Sequence, residues 1–226
     1  MSEQPSPQPL DDLLRARRAK LERLRALGVD PYPHRFACSH SAAQVTEGFA
    51  SLAGKVVSVA GRVMSLRGMG KASFAHLQDG SGRIQAFLRK DDLGERYALL
   101  DCVDLGDFVG VTGEVLRTKT GEISVKAAGL AVLAKSLRPL PVVKEKDGQD
   151  FDAFADKELR YRKRYLDLAV NPQVREVFRK RAAMITAVRA FLDARGFLEV
   201  ETPALQTLYG IESPRSQAPE LASVSD

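Results

Sequence analysis

MGKASFAHLQDGSGRIQAFL, residues 69–88, is the stretch from which the fold is read. Phe74 and Leu77 sit in one run of residues, and Ile84, Ala86 and Leu88 alternate with polar neighbours in the next. A period of two marks a strand that buries one face. Between the runs lies Asp79-Gly80-Ser81-Gly82, a cluster of turn formers, so the pair reads as a hairpin. Upstream, Val57 and Val59 open another alternating run that continues to Leu66. Downstream come a short helical stretch around Leu93–Leu100 and two more strands, near Phe108–Leu116 and Glu122–Val132. Thr118-Lys119-Thr120-Gly121 joins those two.

Three strands, a short helix and two strands follow the order of the five-stranded OB barrel, expected over residues 55–136. A sandwich would need more strands than this. Such a barrel binds single-stranded nucleic acid across one face, by aromatic stacking within a positive groove. Before it, residues 1–9 are rich in Pro and Ser and read as disordered, and residues 10–54 read as a basic helix and loop. Leu10, Leu14, Leu21 and Leu24 make that helix's apolar stripe, Gly28 stops it, and Pro31 and Pro33 prevent its continuation. After the barrel, residues 137–156 read as a linker. Asn171-Pro172 then starts a long helix whose face carries Val174, Val177, Phe178, Ile185, Val188 and Leu192. Gly196 ends it, and Phe197–Thr202 reads as a short strand running into Pro203. The fold class is α+β, mainly β.

Charge and cysteine usage narrow the partners. The net charge is +5, and the cations are clustered. Arg15, Arg17, Arg18, Lys20, Arg23 and Arg25 fill one short segment, and Lys157, Arg160, Arg162, Lys163 and Arg164 fill another. Separated basic blocks fit a polyanion partner, although solvated helix faces give the same pattern. Cys38 and Cys102 stand far apart without clustered histidines, which argues against a disulfide framework and against a metal site. No run approaches the roughly 20 apolar residues that cross a bilayer. The N-terminus lacks the basic and then apolar regions of a secretory signal, so the expected address is the cytoplasm.

Six segments in order resemble class II lysyl-tRNA synthetases. RRAKLERLRALGVDPYPHRF (17–36) is similar to that family's N-terminal helix and loop, and MGKASFAHLQDGSGRIQAFL to the first half of its anticodon-binding barrel. TKTGEISV (118–125), LRPLP (137–141), RYRKRYLDL (160–168) and RGFLEVETPALQ (195–206) follow, the last resembling the class II motif 1 strand with Pro203 as its proline. Aspartyl and asparaginyl relatives share the architecture, but GKASF and TKTGE look more like the lysine enzyme. The resemblance implies a partial class II α/β catalytic domain over residues 157–210 and a divergent tail over 211–226.

The resemblance implies recognition of the uridine-rich anticodon of lysine tRNA by Arg67, Phe74, Gln85 and Glu122. Phe74 would stack on a base, though the same position suits a core ring. Arg67 and Gln85 would donate to uracil carbonyls, and Glu122 would accept from the uracil N–H. Cytosine has an acceptor at that place, which a carboxylate repels. Arg17, Arg18, Lys20 and Arg25 would touch tRNA phosphates, which position RNA without reading it. Phe178, Ile185 and Pro203 would lie at a motif 1 dimer interface, filled by a second copy or a complementary catalytic fragment. Lysine activation in the full-length family implies ATP and Mg2+. The arginines of motif 2 (Phe-Arg-x-Glu) and motif 3 are not found, so no catalytic residue is assigned and the chain is expected to be inactive alone. After Tyr209-Gly210 the sequence departs from the family's pattern, as in a truncated, frame-shifted or split product. The competing reading is a free-standing OB-fold protein that binds tRNA or single-stranded nucleic acid in a regulatory role.

Overall fold

The structure, a computed structural model, describes residues 10–141, 144–146, 149–151 and 154–202. Its first element is helix α1 (Leu10–Ala26). Asp11 and Asp12 in the first turn and Arg23 and Arg25 in the last complement the helix dipole. Leu21 and Leu24 are buried, whereas Leu10 is exposed, so the apolar stripe is shorter than its spacing suggests. Gly28, at φ 72°, donates to the Arg25 carbonyl at 2.9 Å, and Val29 donates to the Leu24 carbonyl at 3.0 Å. This pair of reversed bonds is a Schellman stop, and it needs the left-handed backbone that glycine adopts without strain.

Two short helices, α2 (Ala42–Glu47) and α3 (Phe49–Leu52), lead into the barrel. Ser41 and Gln44 form a capping box at the start of α2. The barrel strands are β1 (Val56–Met69), β2 (Ala72–Gln78), β3 (Arg83–Arg89), β4 (Phe108–Arg117) and β5 (Ile123–Ala134). Helix α4 (Lys90–Leu93) and a 3-10 helix (Gly94–Cys102) sit between β3 and β4. The strands close in the order β1-β2-β3-β5-β4, with β3 and β5 parallel and the other pairs antiparallel. Closure leaves no free edge in the barrel. Alternate residues point inward, including Val59, Leu77, Ile84, Leu88, Val111 and Val125, all buried.

Of three register shifts in the wall, one lies between Phe108 and Val109 of β4. In β1 the register shifts between Val63 and Ser65, so Met64 is the extra residue of a bulge. In β4 it shifts between Thr112 and Gly113, where a Cβ on Gly113 would meet the Lys126 carbonyl oxygen at 1.9 Å. Only glycine fits there.

The β2–β3 hairpin is organised by Asp79. Its Oδ1 accepts from the Ser81 amide (2.7 Å), the Ser81 hydroxyl (2.7 Å) and the Gly82 amide (2.8 Å), while Oδ2 accepts from the Ala42 amide at 2.7 Å. Partial burial alone would raise this carboxyl's pKa, but the four donors outweigh it and hold it below the ordinary value. One side chain therefore fixes both the turn and the start of α2.

Helix α1 is fastened to the barrel by ions. Lys20 meets Asp104 at 2.5 Å, and the buried Lys135 meets Asp104 at 2.5 Å and Asp107 at 2.7 Å. Burial pushes the Asp104 carboxyl up, but bonds from Lys135 and Lys20 pull it further down, below the ordinary value. Arg17 is buried and donates to the carbonyls of Ser136 (2.8 Å), Leu105 (3.0 Å) and Arg138 (3.2 Å).

After the barrel, β6 (Lys144–Lys146) pairs antiparallel with β7 (Gln149–Phe151), inside the segment that reads as a linker. Helices α5 (Lys157–Arg162) and α6 (Arg164–Val170) follow. Asp156 caps α5 by accepting from the Leu159 amide at 2.7 Å. Asp167 of α6 is fully buried between Arg160, at 3.0 Å, and Arg164. Gln78 at the end of β2 donates to the Ala169 carbonyl at 3.3 Å. The compact unit that holds the barrel extends to Val170, and a second begins at Asn171.

That second unit contains helix α7 (Pro172–Asp193), with Asn171 at its N-cap and Pro172 in its first turn. Gly196, at φ 80°, donates to Asp193 at 3.0 Å and Phe197 donates to Leu192 at 3.2 Å, a Schellman stop like that at Gly28. Residues 197–202 are not a strand, contrary to the sequence-based expectation. An extended segment becomes a strand only by bonding to a neighbour. Among the described residues none pairs with it. No described helix is long and apolar enough to cross a membrane.

Candidate nucleic-acid interface

Two rows of side chains cross the outer wall of the barrel. In the first, the register aligns Ser65 of β1 with His76 of β2, Gln85 of β3 and Ser124 of β5. In the second, two residues further along the strands, it aligns Arg67, Phe74, Phe87 and Lys126. These positions alternate with the buried Ala75, Leu77, Ile84, Ala86 and Leu88, so the pleat turns the rows away from the core. The bulge at Met64 is what puts Ser65 and Arg67 on this face. Without the extra residue, every side chain beyond it would change sides.

The aromatic row is a platform. The Phe74 and Phe87 rings are stacked with centroids 4.7 Å apart and planes 11° from parallel. Both are half-buried, neither sealed in the core nor free in solvent. The exposed Arg67 lies beside Phe74. An open cleft of about 580 Å³ lies over the platform, closed on its far side by Arg117, Thr118, Lys119, Thr120 and Glu122. Base-sized faces and nearby cations are the requirements of a single-strand site.

The polar row converges on Glu122. Ser124 Oγ donates to Gln85 Oε1 at 2.6 Å. Gln85 Nε2 then donates to Glu122 Oε2 at 2.5 Å. His76 Nε2 lies 2.8 Å from Glu122 Oε1, and Ser65 Oγ lies 2.7 Å from His76 Nδ1. The Glu122 backbone is pinned separately, because its amide donates to Thr118 Oγ1 at 3.1 Å and its carbonyl accepts from the Thr118 amide at 2.9 Å. An amide nitrogen has two hydrogens, and a carboxylate has about four acceptor positions. The network thus leaves Gln85 with one N–H and Glu122 with unused lone pairs, side by side at the cleft.

The comparisons with known proteins agree with this geometry. A model described as "OB-fold nucleic acid binding domain" matches residues 57–133, and one described as "tRNA synthetases class II (D, K and N)" matches residues 156–217. A lysine–tRNA ligase from Pelotomaculum thermopropionicum is 49% identical over 202 residues, which are 89% of this chain and 38% of the relative. Lysine–tRNA ligases from Carboxydothermus hydrogenoformans and Porphyromonas gingivalis are each 47% identical, over 90% and 86% of the chain and 40% and 36% of their own lengths. The chain belongs to the class II lysyl-tRNA synthetase family. It spans about two fifths of the length of the relatives it matches.

Within this family member, the structure gathers Arg67, Phe74, Gln85 and Glu122 around one cleft. His76 and Phe87 join them, although the sequence alone marked neither. Their signal was the alternation itself: residues two places from Phe74 and from Gln85 share their face.

The basic helix is a different case. Arg18 and Arg25 are exposed, Arg25 pairing with Glu22 at 2.8 Å. Arg17 was expected at a phosphate, but its guanidinium is buried against three carbonyls and does not face solvent. Lys20, expected to do the same, is half-buried against Asp104. Of the residues expected at a motif 1 interface, Phe178 and Ile185 are exposed on α7, and Pro203 lies outside the described residues.

Proposed function

We propose that the cleft reads the uridine-rich anticodon of a lysine tRNA, and that the chain is the anticodon-binding part of a lysine–tRNA ligase. The observation that carries this reading is the adjacent Gln85 N–H and Glu122 carboxylate beside the Phe74–Phe87 pair. Uracil presents a carbonyl next to an N–H on its edge, the complement of that donor and acceptor. Cytosine presents a ring nitrogen lone pair where uracil has the N–H. Facing a carboxylate in a partly dry cleft, that lone pair is repelled. Phe74 stacks on the base, Arg67 donates to a base or phosphate oxygen, and exposed Arg18 and Arg25 contribute sequence-independent attraction.

In a full-length ligase the anticodon contact would serve lysine activation by ATP and transfer to tRNA, in the cytoplasm. Among the described residues no group of His, Cys, Asp and Glu could hold Mg2+, and in this reading the site for ATP and Mg2+ belongs to the remainder of a full-length ligase. Phe178 and Ile185 on α7 would face a second copy or a complementary catalytic fragment.

The test is fluorescence anisotropy with an anticodon stem-loop carrying UUU and a matched loop in which one uridine is cytidine. The unmodified protein should prefer the uridine loop. Phe74→Ala should weaken binding by about 1–3 kcal/mol with the melting temperature retained. A collapse of thermal stability would instead assign the ring to the core. Equal affinity for any single strand would overturn the reading and favour a general single-strand binder.

A further inference from the structure

His76 has no base-reading role in the reading above, yet it holds the residue that does. Its Nε2 lies 2.8 Å from Glu122 Oε1 and its Nδ1 lies 2.7 Å from Ser65 Oγ. An ionised carboxylate only accepts, so Nε2 carries the proton that faces Glu122, while Nδ1 is held by the Ser65 hydroxyl. Ser65, His76, Gln85 and Ser124 stand in one transverse row across four strands, and the two middle members each hold one oxygen of the same carboxylate. Glu122 itself precedes β5 at the mouth of a turn, and its side chain is 44% exposed. A glutamate in such a place would ordinarily sample several rotamers in water. Here two donors from two neighbouring strands restrict it to one, with its remaining lone pairs toward the cleft.

We propose that His76 is a positioning residue for uridine discrimination: it fixes the Glu122 carboxylate in the orientation that rejects cytidine, with Ser65 setting the imidazole's hydrogen-bond direction. The proposal rests on the reading of Glu122 as the acceptor for the uracil N–H. It assigns no contact between His76 and the base. The physical consequence is a separation of affinity from selectivity. Stacking on Phe74 is indifferent to the identity of the base, so overall binding survives the loss of His76. The repulsion of cytidine depends on where the carboxylate points, so selectivity does not.

The experiment compares the uridine loop with the cytidine-substituted loop for the unmodified chain and for His76→Ala, His76→Gln and Glu122→Gln, with melting temperatures measured alongside. His76→Ala should lower the uridine-to-cytidine affinity ratio by about threefold to tenfold, the scale of one lost hydrogen bond, while changing uridine-loop affinity less. His76→Gln keeps an N–H near the Nε2 position and should restore most of the ratio. Glu122→Gln should remove the preference altogether. If Glu122→Gln abolishes the preference while His76→Ala leaves the ratio unchanged, the positioning role is overturned and the anticodon reading stands. If neither substitution changes the ratio, the anticodon reading fails and this inference fails with it. Should His76→Ala weaken both loops equally, or should His76→Gln behave like alanine, the histidine is a structural member of the wall only.

Discussion

The barrel and helix α7 carry the same kind of amphipathic signal and end in opposite states. In the barrel, every strand has two neighbours, and side chains such as Leu77, Leu88 and Val111 are at most 1% exposed. In α7 none of the 22 residues is buried, and Val177, Val188 and Phe191 are each more than half exposed. The difference teaches that amphipathicity specifies a face to be covered and is silent on what covers it. The barrel's strands cover one another. Within its own unit the α7 face lines a cleft with Phe197, Leu198 and Glu199 and stays largely exposed.

Four measurements would break or sharpen that contrast. The largest effect is expected at Lys135, buried between Asp104 and Asp107. Lys135→Met leaves the buried Asp107 without its cation and Asp104 with Lys20 alone, and should lower unfolding stability by about 3–5 kcal/mol in urea titrations. Leu88→Ala, in the barrel interior, should lower it by about 2–5 kcal/mol in the same titrations. Acid comes next. The folded-state pKa values of Asp79 and Asp104 both lie below the ordinary value of 3.8, so their contribution is present above that pH. It is lost as pH falls from 3.8 through the depressed values, and α1 should detach from the barrel over that range, visible as faster amide exchange in residues 10–26. The smallest effect is Val188→Ala, which should change stability of the isolated chain by less than about 0.5 kcal/mol. A cost above about 1.5 kcal/mol would show that the α7 face is already covered in solution.

Much of the barrel was legible because its strands obey a period of two with few interruptions. Val57, Val59, Ile84, Ala86, Leu88, Val109 and Val111 announce the wall and the core together. The site was legible only in part. Phe74, Gln85, Glu122 and Arg67 were named through a resemblance, and what brought them together is strand register, which depends on bulges that no periodicity reveals. The Ser65–His76–Gln85–Ser124 row is invisible until Met64 is seen to be the extra residue in β1. Arg17 was misplaced because five other cations share its segment, and the three carbonyls that hold it lie 88, 119 and 121 residues away. The β6–β7 pair was missed because its strands are polar.

The buried Arg17 has a consequence for the order in which the chain is assembled during translation. Helix α1 leaves the ribosome before the barrel strands, but the carbonyls of Ser136 and Arg138 that receive its guanidinium are made more than a hundred residues later. A helix of 17 residues with two buried leucines is marginal by itself, so it must wait, frayed and basic, through the whole synthesis of the barrel. Helix α1 is thus made before the barrel and seated only after it, and its seating reports that the strands behind it have closed.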